Sequence, residues 1–238
     1  MRQPPVPFVY KAVIALLGPI ATLMTRKTWR GRENLPATGG FVVAANHISN
    51  LDFLAVMKLL IWWARPPQVL AKESLFHKPI LGAAMRGMGM IPVRRGTAQA
   101  AGALDGALKA IQQGGLVLVY PEGTVTRDPN LWPMRGRPGA VKMALEAGCP
   151  LIPVAQWGAQ KILPYRTKKF RPFPPTRVFL QVGPAIDLND LAKWADKDAA
   201  AREGTERLMR SITQMLGELR GLTPPAEPFN QFAAQEAS

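Results

Sequence analysis

Histidine occurs only twice in the 238-residue sequence and cysteine only once, at Cys149. That scarcity excludes a disulfide framework, a cysteine zinc site and any cage of several histidines, so neither a metal nor a bound cofactor is expected. A single thiol also makes a reducing, intracellular setting the default expectation. Acidic residues are scarce too: 16 stand against 30 lysines and arginines, a formal charge of +14 at pH 7. Such an excess calls for an anionic partner, whether nucleic acid, a membrane surface or a phosphorylated substrate. No uninterrupted apolar run reaches the roughly 20 residues of a spanning helix, and there is no internal repeat. What is present, 47% hydrophobic and 19% charged residues, is too apolar for a disordered chain and ample for a core.

The positive charge is concentrated. Residues 187–238 hold 6 basic and 9 acidic residues, which leaves 24 basic and 7 acidic residues, a net +17, to residues 1–186. Near the start lies Phe8–Met24, FVYKAVIALLGPIATLM, broken only by Lys11 and by Gly18-Pro19; Arg26, Lys27, Trp29, Arg30 and Arg32 follow. An apolar helix flanked by cations and an indole suits an anionic headgroup layer, so residues 1–32 are expected to form a membrane-associating helical segment that lies in or dips into the bilayer. Trp62 and Trp63 are expected to add an interfacial anchor.

Short apolar runs then recur: Phe41–Ala45, Gln68–Ala71, Ile91–Val93, Leu116–Tyr120, Leu151–Ala155 and Val178–Val182. Continuous apolar strands imply a sheet covered on both faces. Helical patterns lie between them, near Asp52–Trp62, Ser74–Met88, Thr97–Gln113 and Gly139–Glu146, with a long amphipathic one near Leu191–Leu219. The alternation predicts an α/β protein, an αβα sandwich on a mixed, mostly parallel sheet, with one main domain over 33–222 and a loose tail over 223–238. Chemistry in such sheets gathers beyond the strand ends.

Two polar motifs sit at those ends. Asn46-His47-Ile48-Ser49-Asn50-Leu51-Asp52 follows the first buried run. Five helical steps of about 100° would leave His47 and Asp52 about 140° apart, so they meet only if His47 sits in the loop and Asp52 in the first helical turn, with Ser49 or Asn50 as the cap. A carboxylate so placed fixes the imidazole tautomer and leaves the other nitrogen as a general base. Tyr120-Pro121-Glu122-Gly123-Thr124 follows the fourth run, its glycine suited to a turn. Two further blocks, Ile91-Pro92-Val93-Arg94-Arg95 and Ile152-Pro153-Val154-Ala155, complete a series of four.

In that order the four blocks resemble the glycerolipid acyltransferases of the 1-acylglycerol-3-phosphate acyltransferase type, over roughly residues 30–185. The resemblance implies transfer of a fatty acyl chain from a coenzyme A or acyl-carrier-protein thioester, as co-substrate, to the free hydroxyl of lysophosphatidic acid, giving phosphatidic acid. It also implies that His47 and Asp52 are the catalytic pair, while Arg95, Glu122, Gly123 and Thr124 belong to the acceptor site. The chain departs from the family pattern twice. Val125, not arginine, follows Thr124, with Arg127 two positions later, and Arg94 stands where an acidic residue is common.

The residues are compatible with that chemistry in their own right. A thioester is already activated, so a hydroxyl acceptor needs only a base, and the acceptor phosphate needs cations such as Lys72, Arg94, Arg95 or the Arg127, Arg135 and Arg137 loop. A nucleic-acid partner is not expected: the basic run from Lys161 to Arg177 has few stacking aromatics, and no nucleic-acid motif is present. Other readings remain: glycerol 3-phosphate or another lysolipid or polyol as acceptor, or a non-catalytic membrane protein. The expected setting is the cytoplasmic face of the cell membrane.

Overall fold

The computed structural model describes residues 5–93, 100–167 and 169–230. The elements run α1 (Phe8–Met24), β1 (Thr25–Arg30), β2 (Phe41–Ala45), α2 (Asp52–Trp63), β3 (Pro67–Lys72), α3 (Pro79–Gly87) and β4 (Ile91–Val93). They continue with α4 (Ala100–Gln112), β5 (Leu116–Val119), α5 (Gly139–Ala147), β6 (Leu151–Trp157), α6 (Ala159–Ile162), β7 (Thr176–Val182) and α7 (Lys197–Arg220). All six expected strands are present, and α1 has the bounds read from its apolar run.

One seven-stranded sheet in the order β1-β7-β6-β2-β5-β3-β4 organises the molecule. Every pairing is parallel except β6 with β7. The central strands β2 and β5 are buried along their whole length, as continuous Val, Leu and Ala runs require. One face packs on α4, α5 and α7 through Val42, Ala44, Val117, Ala107, Val141 and Leu208. The other packs on α1, α2 and α3 through Val43, Leu118, Tyr10, Leu59, Leu60 and Met85.

Three expectations change. The pattern at Ser74–Met88 is broken into a 3-10 turn at Glu73–Leu75 and α3, because Pro79 occupies the first turn of α3, where its missing N–H costs nothing. The Leu191–Leu219 pattern likewise divides, into a 3-10 turn at Leu191–Lys193 and α7, whose N-cap Asp196 accepts the amides of Asp198 and Ala199. Thr25–Arg30, grouped by composition with the membrane-associating segment, adds an edge strand to the sheet. Among the described residues of the tail, Phe229 bridges Met134 and its carbonyl accepts the Arg135 amide, while 231–238 lie outside the described residues.

Candidate active site at the sheet edge

Because β2, β5, β3 and β4 are parallel, their C-terminal ends open on one edge. The His47 loop leaves β2, and Tyr120–Thr124 leaves the adjacent β5. Lys72 closes β3, two strand spacings from β2, or about 10 Å.

The loop between β2 and α2 folds back on Asp52, the first residue of α2, which is completely buried. One carboxylate oxygen, Oδ2, accepts the backbone amides of Ile48 at 2.5 Å and Ser49 at 2.9 Å, and lies 2.9 Å from His47 Nδ1. Burial pushes the Asp52 carboxyl up, against the opposing pull of His47 and of the two amides. An oxygen already acting as acceptor to two amides sets the imidazole tautomer: Nδ1 carries the proton and Nε2 the lone pair. Nε2 makes no hydrogen bond among the described residues, and the His47 side chain is 19% exposed. Ser49 does not cap α2. Its hydroxyl donates to the Leu163 carbonyl and accepts the Leu51 amide, while its own amide goes to Asp52.

The second loop grips the first. Glu122, 1% exposed, accepts the His47 amide on Oε1 at 2.9 Å and the Met134 amide on Oε2 at 3.0 Å. The Thr126 amide donates to the His47 carbonyl at 2.7 Å, so both backbone groups of His47 are held by residues that follow β5. Burial of Glu122, with a smaller push from Asp52, raises its carboxyl to about 8. The two amides and the nearby Thr126 hydroxyl, which donates to the Trp132 carbonyl at 2.7 Å, pull the carboxyl back down without offsetting its burial. The Tyr120 ring stacks on the His47 ring, with centroids 4.4 Å apart and planes at 29°. Its hydroxyl is buried without a hydrogen-bond partner among the described residues.

Gly123 takes φ +73°, and a Cβ there would lie 3.1 Å from Arg137 Nε. The guanidinium of Arg137 therefore rests against this turn, fixed by its own amide bonding to the Pro121 carbonyl at 2.8 Å. Thr124 is half-buried beside it. Val125, which replaces the family's arginine, points inward at 3% exposure. Arg127 is exposed, as is Lys72. Arg94 and Arg95 lie outside the described residues. The structure thus brings together His47, Asp52, Glu122 and Gly123, and sets Lys72 on the same edge.

Arg137 was among the cations considered for the acceptor phosphate, but two residues of the site went unassigned from sequence. Tyr120 is the first. The second, Gln156, exchanges three hydrogen bonds with Asn46: Asn46 Nδ2 to the Gln156 carbonyl at 3.2 Å, the Gln156 amide to Asn46 Oδ1 at 2.8 Å, and Gln156 Nε2 to the Asn46 carbonyl at 2.7 Å. The only available signal was position: Tyr120 directly precedes Pro121, and Gln156 directly follows the Ile152–Ala155 block. No group of three or more potential metal ligands occurs among the described residues.

The family model described as acyltransferase matches residues 26–157. A chloroplast 1-acyl-sn-glycerol-3-phosphate acyltransferase of Brassica napus is 31% identical over 137 residues, 57% of this chain and 38% of its own length. Proteins of the same name from Borreliella burgdorferi and Bacillus subtilis are 29% and 27% identical, over 69% and 79% of this chain and 63% and 88% of their own. This chain therefore spans less than two thirds of the first two. The crystal structure of a 1-acyl-sn-glycerophosphate acyltransferase from Thermotoga maritima superposes with a TM-score of 0.65 at 23% identity, covering 90% of this chain and 84% of that one, and so shares its fold. With more than half its length inside the matched model, and with the four sequence blocks inside that span, the chain belongs to the acyltransferase family.

Proposed function

We propose that the protein transfers a fatty acyl chain from a coenzyme A or acyl-carrier-protein thioester to the free hydroxyl of lysophosphatidic acid, forming phosphatidic acid in phospholipid biosynthesis. The observation that carries this reading is the His47–Asp52 pair: a buried carboxylate held by two backbone amides, its oxygen 2.9 Å from Nδ1, at the mouth of the sheet edge. His47 Nε2 takes the hydroxyl proton as the acceptor oxygen bonds to the thioester carbonyl carbon. The carbon–sulfur bond then breaks, and the imidazolium returns the proton to the leaving thiolate. Asp52 orients the ring and stabilises the imidazolium. No nucleophilic side chain and no metal is needed for an acyl group already activated as a thioester.

The acceptor phosphate falls to Lys72, with Arg94 and Arg95, which follow Val93 in the sequence, and with Arg137 beside Gly123. Thr124 and Arg127 flank that region. The names of the Borreliella and Bacillus relatives support this acceptor. Exposed Phe8, Leu16, Ile20 and Leu23 on α1, with Trp62, support a seat on the cytoplasmic face of the membrane; no described helix is long and apolar enough to cross it. Purified full-length protein, supplied with acyl-coenzyme A and lysophosphatidic acid, is expected to release free thiol, and His47→Ala to lower turnover about 100-fold or more. Near-normal turnover of a folded His47→Ala protein would sink the mechanism. Brisk thiol release with glycerol 3-phosphate but not with lysophosphatidic acid would reassign the acceptor.

A further inference from the structure

A second cleft lies on another flank of α2. Leu51, Leu54, Ala55 and Lys58 line it at helical spacing, centred about 110° around the helix from Asp52. The opposing wall is the stripe Leu17, Ile20, Ala21 and Met24 of α1, again at i, i+3, i+4 and i+7. Its floor includes Thr25, Lys27 and Trp29, the alternate residues that β1 turns to one face. The cavity volume is about 60 Å³, within a cleft open to solvent, and among the described residues its walls are apolar apart from two ammonium groups and Thr25.

The two cations are what an apolar cleft does not require. Lys27 Nζ stands 4.0 Å from the centroid of Trp62 and 5.2 Å from that of Trp29, while Lys58 Nζ stands 5.9 Å from Trp62. Both therefore converge on one indole. Lys58 is 9% exposed and donates once, to Thr22 Oγ1 at 2.7 Å, which leaves two of its three donors uncommitted. No acidic residue lines the cleft among the described residues. Burial and the neighbouring Lys27 both pull the Lys58 ammonium down, the penalty of placing like charges together in a partly dry site. An anion between them would relieve that repulsion, and the apolar stripes beneath would accept a hydrocarbon chain.

We infer that this cleft binds an anionic phospholipid of the bilayer, its phosphate between Lys27 and Lys58 on the Trp29–Trp62 cradle and one acyl chain between α1 and α2. The site is separate from the reacting pair, since it faces the other flank of α2. Its occupancy ties α1 to α2 and makes membrane attachment selective for negatively charged lipid.

The test is equilibrium binding to the full chain, which does not depend on acyl transfer. Calorimetry with monomeric dihexanoyl phosphatidylglycerol is set against dihexanoyl phosphatidylcholine, which has the same chains and no net charge, and against inorganic phosphate. The anionic lipid is expected to bind at least tenfold more tightly than either comparator. Lys58→Met and Lys27→Gln are each expected to weaken it about tenfold. Lys109→Gln, which removes a remote exposed cation, should change nothing, and His47→Ala should bind as wild type does. Lys27 is exposed, so its variant remains informative if Lys58→Met fails to fold. Equal affinity for the two lipids, equal affinity for phosphate alone, or an equal effect of Lys27→Gln and Lys109→Gln would each overturn the inference. A protein that shows the lipid preference yet transfers no acyl group would retain this site and lose the proposed activity, so the two failures are distinguishable.

Discussion

Glu122→Gln separates a structural acid from an ionised ligand group, and its effect has an unusual sign. In the native protein each carboxyl oxygen accepts one backbone amide, from His47 and from Met134. The Gln amide nitrogen cannot accept, so one buried N–H loses its partner at a cost of about 1–3 kcal/mol, independent of pH. Ionisation runs the other way. The folded carboxyl titrates at about 8 against 4.5 for its ordinary value. Across that window the folded state keeps a proton that the unfolded chain has released, so wild-type stability falls as pH rises from 4.5 and levels off above 8. At 1.36 kcal/mol per pH unit the loss between pH 5 and pH 8.5 is about 4 kcal/mol, and the Gln variant is exempt from it. Urea unfolding of both proteins at the two pH values should therefore show the variant less stable at pH 5 and equal to or more stable than wild type at pH 8.5. The same stability gap at both values would refute a neutral, buried Glu122. Because Glu122 also holds the His47 amide, loss of turnover in the variant is expected to exceed loss of fold.

Asp52→Asn cannot reproduce the native set, because one oxygen, Oδ2, serves the Ile48 amide, the Ser49 amide and His47 Nδ1: an amide oxygen there keeps all three but removes the charge that stabilises the imidazolium, and an amide nitrogen there loses both backbone amides, so turnover is expected to fall at least 100-fold. Tyr120→Phe removes a buried hydroxyl that has no partner among the described residues and keeps the ring on His47, so stability measured by urea unfolding should be unchanged or higher by about 1 kcal/mol, with turnover preserved. Tyr120→Ala should lose both. Lys72→Ala and Arg95→Ala are each expected to raise the acceptor KM and erode preference for lysophosphatidic acid over an uncharged lysolipid by tenfold or more; an unchanged ratio in both would leave the phosphate site unsupported.

The amino-acid order alone determined six of the seven strands and the polar blocks that follow them. Buried strands must be continuously apolar, so Phe41–Ala45 and Leu116–Val119 were legible as the centre of a covered sheet, and the polar blocks that follow them were legible as strand-end loops. The His47–Asp52 pairing was legible for the same reason, since only a loop-to-helix junction brings residues five apart into contact. Basic, polar Thr25–Arg30 carried no strand signal: it acquires its structure from the edge of β7, a pairing that depends on a partner about 150 residues away. Glu122 reads in sequence as a ligand-binding carboxylate, and only the adjacency of β2 and β5 turns it inward onto the His47 amide. The convergence of Lys27 and Lys58 on Trp62 was likewise decided by tertiary structure. Local pattern sets the face a residue occupies within its own strand or helix, but contact between faces is set by how the sheet orders its strands and how helices pack upon it.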